Sequence, residues 1–359
     1  MKRFVIALLA LMLAGSFAYA DIEKSFTIDT DELTVTNLVG EVEVVQGSGS
    51  DFRIRVTVMG EDAAEGLLDF ATQDGGDGRL AVIFPVDDED DYVYPRLGRH
   101  SKSTIRYPEG QGEEKSWLKK VFSGMTGKKV TVRGHGKGLE VWADLVIEVP
   151  EGRSLKVKQG VGTITASEVE GDLNLDISSG GIRAEDIDGE LIVDTGSGSV
   201  EVARVKGELS VDTGSGSIEV ESCQARKVNL DTGSGSVKAT NLDCDYLNID
   251  TGSGRVRAGG VTTDKVRIDT GSGSVKLQLD SMGGGDFVID TGSGSIELEL
   301  PADASADIVA DTGSGGIHNK VSGAHVNRKA RDELAMVVGD GEARVRLDAG
   351  SGSITILQK

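Results

Sequence analysis

Aromatic residues make up only 4% of the 359-residue sequence, as eight Phe, five Tyr and two Trp, and apolar residues 38%. A wide, ring-filled globular interior is therefore excluded, and a narrow core of small β-branched side chains fits the composition better. Basic charge is also scarce, with 38 Lys and Arg against 59 Asp and Glu, a formal charge of −21. That balance argues against nucleic acid and against unassisted adsorption to anionic membranes. Beyond the first 20 residues no stretch is apolar enough to span a bilayer. Histidine occurs four times, at His100, His135, His318 and His325, with no recognisable ligand pair, which points to loop residues at the surface. The two cysteines, Cys223 and Cys244, leave two states open: a disulfide favoured by export, or two free thiols because the offset strains bridge geometry.

Glycine, by contrast, is abundant, with 50 residues, and much of it is periodic. Asp-Thr-Gly-Ser-Gly occurs seven times, starting at Asp194, Asp212, Asp231, Asp250, Asp269, Asp290 and Asp311, at intervals of 18 to 21 residues. A period near 20 held over this length is the signature of a solenoid. Counting from each Asp, positions minus 3 and minus 1 are apolar, as in Leu247 and Ile249, and so are plus 6 and plus 8, as in Ile296 and Leu298. Two period-2 runs flanking a Gly-Ser corner read as strand, turn, strand. A fifth apolar position at plus 11, held by Val205, Cys223, Leu242 and Val261, predicts a third side. Degenerate corners at Lys158, Asp176 and Asp348 extend the series, giving a rod of roughly 45–50 Å at β spacing. The fold class expected is all-β: a single-stranded parallel β-helix of about 18–21 residues per coil. The last interval, from Asp311 to Asp348, is 37 residues, so His318 to Val338 is expected to leave the stack before the final coil.

The remaining segments fit around that rod. Residues 1–20 carry Lys2 and Arg3, an apolar run from Phe4 to Ala14, and Ala18-Tyr19-Ala20, the pattern of a secretory signal peptide. Its removal would take the net charge to −23. Ser16 stands where a lipoprotein signal has its lipidated Cys, so export to the periplasm or cell surface without lipidation is expected. Residues 21–86 read as N-terminal β-coils. Residues 87–138 form an insertion, with Trp117, Leu118, Val121, Phe122 and Met125 at helical spacing within Glu113–Met125. That short amphipathic helix is expected to lie on the end or flank of the solenoid, with a partner- or membrane-facing role as the sharper alternative. Residues 139–359 are the solenoid of repeats.

The run from Asp144 to Gly152, followed by Gly-Ser-Gly corners each leading into Val or Ile, resembles the bacterial putative-adhesin family of exported β-helical domains of unknown function. The resemblance covers roughly Leu33 to Lys359, with the insertion as its interruption. It implies a parallel β-helix, right-handed, in an envelope or exported protein, and implies no catalytic residues and no cofactor.

Two functional classes follow. The first is a non-catalytic envelope or surface scaffold, binding a protein or a glycan along its rod. The second is a β-helix carbohydrate-active enzyme, of lyase or hydrolase type, with a groove on the same rod. Asp-Thr-Gly-Ser is also the aspartic-protease signature, but that site needs two loops facing each other and copies in register make a ladder instead. A dinucleotide fingerprint is unsupported because no helix follows the glycines. The Asp ladder itself admits two accounts. Each Asp caps the turn that follows it through backbone N–H bonds, or the seven carboxylates hold a row of calcium ions. The cap is favoured, since Lys158 fills the same corner and one carboxylate per coil is few for calcium.

Overall fold

The computed structural model describes residues 21–74, 76–107 and 128–359. The signal-peptide reading of residues 1–20 and the helix expected within Glu113–Met125 lie outside them. Among the described residues the only helical element is a 3-10 turn at Pro95–Leu97.

Strands follow one another at short spacing: β1 (Ile22–Ile28), β2 (Glu32–Gln46), β3 (Phe52–Met59), β4 (Asp69–Gln73) and β5 (Asp77–Ile83). The insertion contributes β6 (Asp91–Val93), β7 (Lys102–Tyr107) and β8 (Lys128–Arg133). After β9 (Trp142–Val149), β10 (Arg153–Asp188) turns through two coils without a break. The repeats supply β11 (Leu191–Thr195), β12 (Val200–Lys206), β13 (Leu209–Thr213), β14 (Ile218–Thr232), β15 (Val237–Thr251) and β16 (Val256–Thr270). They continue through β17 (Val275–Met282), β18 (Asp286–Thr291), β19 (Ile296–Leu300), β20 (Ala306–Thr312) and β21 (Ile317–Asn319). Last come β22 (His325–Lys329), β23 (Glu333–Val338), β24 (Ala343–Ala349) and β25 (Ile354–Gln358).

The coils stack in parallel and in register, so like residues lie above like. Asp212 pairs with Asp231, Asp231 with Asp250 and Asp250 with Asp269, each carrying its apolar neighbours into the same columns. Period-2 alternation puts minus 3, minus 1, plus 6 and plus 8 inside. In the coil built on Asp250 these are Leu247, Ile249, Val256 and Ala258, joined by Val261 at plus 11, and none is more than 2% exposed. A fully buried Val, Leu or Ile is worth about 1.5–3 kcal/mol, so the column, not any local propensity, holds each coil. The residue before the plus-11 position bends the chain inward: Glu168, Asp186, Arg204, Ser222 and Asn241 all have φ between 53° and 58°, and Gly260 has 66°. This left-handed column sets off the short third side.

Both ends of the rod depart from chain order. At the N-terminal end β5 and β9 make the outermost coil, and β2 lies one coil in, between them and β10, with Val35 paired to both Leu80 and Val157. Antiparallel strands then close the end, β4 on β5, and β3 followed by β1 on β9. Residues 21–86 are thus part coil and part cap, rather than coils throughout.

The C-terminal end mirrors this. The final coil, β24 and β25, is seated between the coil of β18 and β19 and the coil of β20 and β21. The corners therefore run Asp290, Asp348, Asp311, not in chain order as expected. Nor does His318 to Val338 leave the stack. Ile317–Asn319 pairs with β25, and the β22–β23 hairpin pairs antiparallel on β20. A terminal parallel strand presents a row of unpaired N–H and C=O groups, and an antiparallel hairpin covers them.

Candidate functional site: the corner ridge and the adjoining groove

Beginning at Asp, the corner sequence alternates out and in. Asp points outward and the following Thr inward, because minus 1 is already an inside position. Thr195, Thr213, Thr232, Thr251, Thr270, Thr291 and Thr312 are all buried, at 5% exposure or less. Each hydroxyl donates to a glycine carbonyl of the coil below: Thr232 to Gly216 at 2.9 Å, Thr251 to Gly235 at 2.9 Å, Thr291 to Gly273 at 2.8 Å. In the same corners the hydroxyl accepts from the glycine N–H three residues on, as from Gly254 to Thr251 at 3.0 Å. One oxygen thus ties two coils together and closes its own turn. Near the N-terminal end Gln159 takes over the first of these roles, its amide donating to the Gly40 carbonyl at 2.9 Å.

The Asp cap expected from sequence is therefore made by the threonines. The glycines follow from the same close approach: a Cβ at Gly254 would lie 1.6 Å from the Gly235 carbonyl oxygen, and one at Gly216 or Gly273 would meet a carbonyl at the same distance. No side chain fits there.

With the cap assigned to threonine, the aspartates stand as an outward column of Asp176, Asp194, Asp212, Asp231, Asp250, Asp269, Asp290, Asp348 and Asp311. Burial, and secondarily neighbouring carboxylates, push Asp194, Asp231 and Asp290 up: Asp212 acts on Asp194, Asp212 and Asp250 on Asp231, and Asp348 and Asp269 on Asp290. Asp176 rises for the same reasons, with Lys158 beside it acting the other way. An N–H cap would have lowered these values. The column ends where the insertion sheet begins. Its next members are Lys158, Thr36 and Ala81, and the Ile105 side chain lies so close over Gly160 that a Cβ there would come within 2.6 Å. Arg96 fastens the insertion to the rod, 2.8 Å from Asp144 and 3.0 Å from Glu41, with its guanidinium 5.7 Å from the centre of the Trp142 ring.

Beside the left-handed column runs a shallow groove of about 710 Å³, lined by Asp188, Glu190, Lys206, Glu208, Arg226 and Asp245 among others. A second stretch of about 630 Å³ continues it past Glu168, Asp186 and Arg204. Cations here pair with carboxylates one coil below: Arg204 with Asp186 at 2.7 and 3.0 Å, Lys206 with Asp188 at 3.9 Å, and Arg226 with Glu208. The lining offers hydrogen-bond donors and acceptors in a repeating array.

The structure separates several residues that sequence had considered together. Cys223 pairs with Leu242 and Cys244 with Ala225, two positions out of step, and both thiols are free and buried. The bridge is not formed here. Burial pushes the Cys223 thiol up to about 12. His318 pairs with Thr355 and His325 with Val337, on different walls. Among the described residues no three His, Cys, Asp or Glu side chains are grouped so as to hold a metal ion.

The Toastrack DUF4097 family matches residues 142–357, from β9 into β25. The chain belongs to the Toastrack family. The match spans more than half of the sequence, and β1 to β8, including the coil strands β2 and β5, lie outside it. No curated protein matches the chain. Three solved structures are similar at low identity. A putative adhesin from Bacteroides fragilis is 12% identical, covering 95% of this chain and 98% of its own, with a TM-score of 0.39. A putative lipid binding protein from Parabacteroides distasonis is 13% identical, covering 92% and 96%, with a TM-score of 0.34. A putative cell adhesion protein from Clostridium sporogenes is 12% identical, covering 94% and 100%, with a TM-score of 0.23. Overlays this loose carry no argument about what the Toastrack rod binds.

Proposed function

We propose that this Toastrack protein is an exported, non-catalytic scaffold of the cell envelope or surface, whose rod acts as an adhesin-like module for an envelope protein or a glycan. The observation that carries this reading is the uniformity of the outward columns. Along the ridge the same carboxylate recurs from Asp176 to Asp311, with serines beside it, and along the groove the cations pair with the coil below. General acid–base chemistry needs two groups in unlike environments at one place. A ladder offers like groups in like environments at many places, which suits multivalent contact with a repeating partner. The signal-like residues 1–20 support export.

The test exposes purified full-length protein to a panel of envelope polysaccharides and to solubilised envelope protein. Retention on a partner whose chain length stays unchanged supports the scaffold reading. Release of new reducing ends or unsaturated sugars would overturn it in favour of a carbohydrate-active enzyme.

A further inference from the structure

The final coil has an unusual seat. β24 pairs with β18 on one side and β20 on the other, and β25 likewise with β19 and β21. It enters between coils that precede it in the chain, so it can be withdrawn without unthreading anything else. Its two seams also differ: the lower one lacks the threonine tie that the upper one has. Thr312 donates across the upper seam to the Gly352 carbonyl at 2.7 Å. The residue that should do this across the lower seam is Ala349, the one corner from Asp194 onward with no hydroxyl at that position. There the ladder is supplemented instead by Ser295 and Ser353, with hydroxyls 3.3 Å apart and the Ser353 N–H donating to Ser295 Oγ at 3.3 Å, by Arg344 4.0 Å from Asp286, by the Gln358 amide donating to the Ala302 carbonyl at 3.1 Å, and by Lys359 on Asp280.

The connection into the coil is a tight hinge. Gly339 and Gly341 have φ of 58° and 73°, and the N–H groups of Asp340 and Glu342 both donate to the Ser305 hydroxyl. Straightening four residues frees everything after it. Once out, the segment exposes Ala343, Val345, Leu347, Ala349, Ile354 and Ile356, all buried when seated, and leaves two parallel strand edges facing an open slot. Neither is stable in water. The slot that matches the segment in register on both edges is the same slot in a second copy.

We propose that Ala343–Gln358 is an exchangeable coil, and that two copies trade it to form a closed, tail-to-tail dimer. Every contact of the seated coil is reproduced in the exchanged form, so only the hinge differs between the two states. For a surface rod this doubles the presented ridge and links two molecules through their C-terminal ends.

Two full-length variants test it, Ser295→Cys on a copy with one affinity tag and Ser353→Cys on a copy with another. They are mixed at high concentration in sub-denaturing urea, returned to buffer and oxidised. Exchange places the two thiols opposite each other in different chains. A covalent heterodimer, with the disulfide mapped to positions 295 and 353, is expected. The mixture of Ser274→Cys with Ser353→Cys, two coils apart in either state, is expected to give none. Ala349→Thr in both copies, by adding the missing hydroxyl at the lower seam, is expected to slow the appearance of the heterodimer. Recovery of monomers alone, or equal cross-linking in the Ser274 control, overturns the proposal, and an unchanged rate with Ala349→Thr overturns the role given to the missing hydroxyl in release of the coil.

Discussion

Replacing Thr251 by Val is the sharpest test of the threonine column. The two side chains have nearly the same shape, and Thr251 is fully buried, so packing changes little. What is lost is the donation to the Gly235 carbonyl at 2.9 Å and the acceptance from Gly254 N–H at 3.0 Å. Gly235 and Gly254 are themselves buried, and water cannot replace the missing partner. A buried polar group left unsatisfied costs about 1–3 kcal/mol, so the expected loss for two is about 2–6 kcal/mol. Thr251→Ser keeps the hydroxyl and removes one methyl, with an expected cost of about 1 kcal/mol. Urea denaturation followed by circular dichroism at the β minimum compares the three proteins by midpoint and slope. If Val proved as stable as Thr, or more stable than Ser, the hydroxyl would not be the tie between coils and the reasoning would fail.

Gly254→Ala places a Cβ 1.6 Å from the Gly235 carbonyl oxygen, so the coils must part, and we expect a loss of more than about 4 kcal/mol, seen as a collapse of soluble yield or of the urea midpoint; wild-type stability would contradict it. Asp231→Asn removes repulsion from Asp212 and Asp250, which at roughly 4.8 Å is about 0.9 kcal/mol each in water and about half that in physiological salt. The expected gain is about 1 kcal/mol or less, shrinking as sodium chloride is added. Because the folded-state pKa of Asp231 is raised above 3.8, the folded protein holds its proton more tightly than the unfolded chain, so this group's contribution to stability rises as pH falls through that raised value towards 3.8. Wild type should therefore gain more on mild acidification than Asp231→Asn, and a chelator should leave both melting temperatures unchanged; a large drop restored by millimolar calcium would make the column a metal site. Finally, Cys223 and Cys244 should resist maleimide until the protein unfolds, and rapid labelling of the native protein, or a linked 223–244 peptide without reductant, would contradict the two buried free thiols.

Much of the rod was legible in the sequence, because a solenoid repeats its pattern in every coil. Leu191 and Val193, or Val275 and Leu277, announce the inside by alternation alone, and all are buried. The same alternation carried further places Thr213 inside and Asp212 outside, so the sequence pattern itself points to Thr rather than Asp as the residue that closes the turn. The left-handed column is harder to see, since Glu168, Arg204 and Ser222 share no side-chain chemistry and only Asp186, Asn241 and Gly260 are of types that favour that region. Coil order at the ends could not be read locally. The corners at Asp290, Asp311 and Asp348 are nearly interchangeable, and which one stacks on which depends on the hairpin that closes the end. The 37-residue interval marked the place but not the path, and Ala349 in a column of threonines was its one local trace.

Disulfide closure within one chain tests the intercalated stack most directly. In the structure Ser353 lies between Ser295 and Gly316, since Ile354 pairs with both Ile296 and Ile317. Dilute full-length Ser295→Cys/Ser353→Cys should therefore oxidise rapidly to an intramolecular bridge, whereas Ser295→Cys/Gly316→Cys, separated by roughly 9.6 Å across two coil spacings, should not. Peptide mapping of each variant reads the outcome. A bridge between positions 295 and 316, with none between 295 and 353, would mean that the coils follow chain order and that the stack described here is wrong at its C-terminal end.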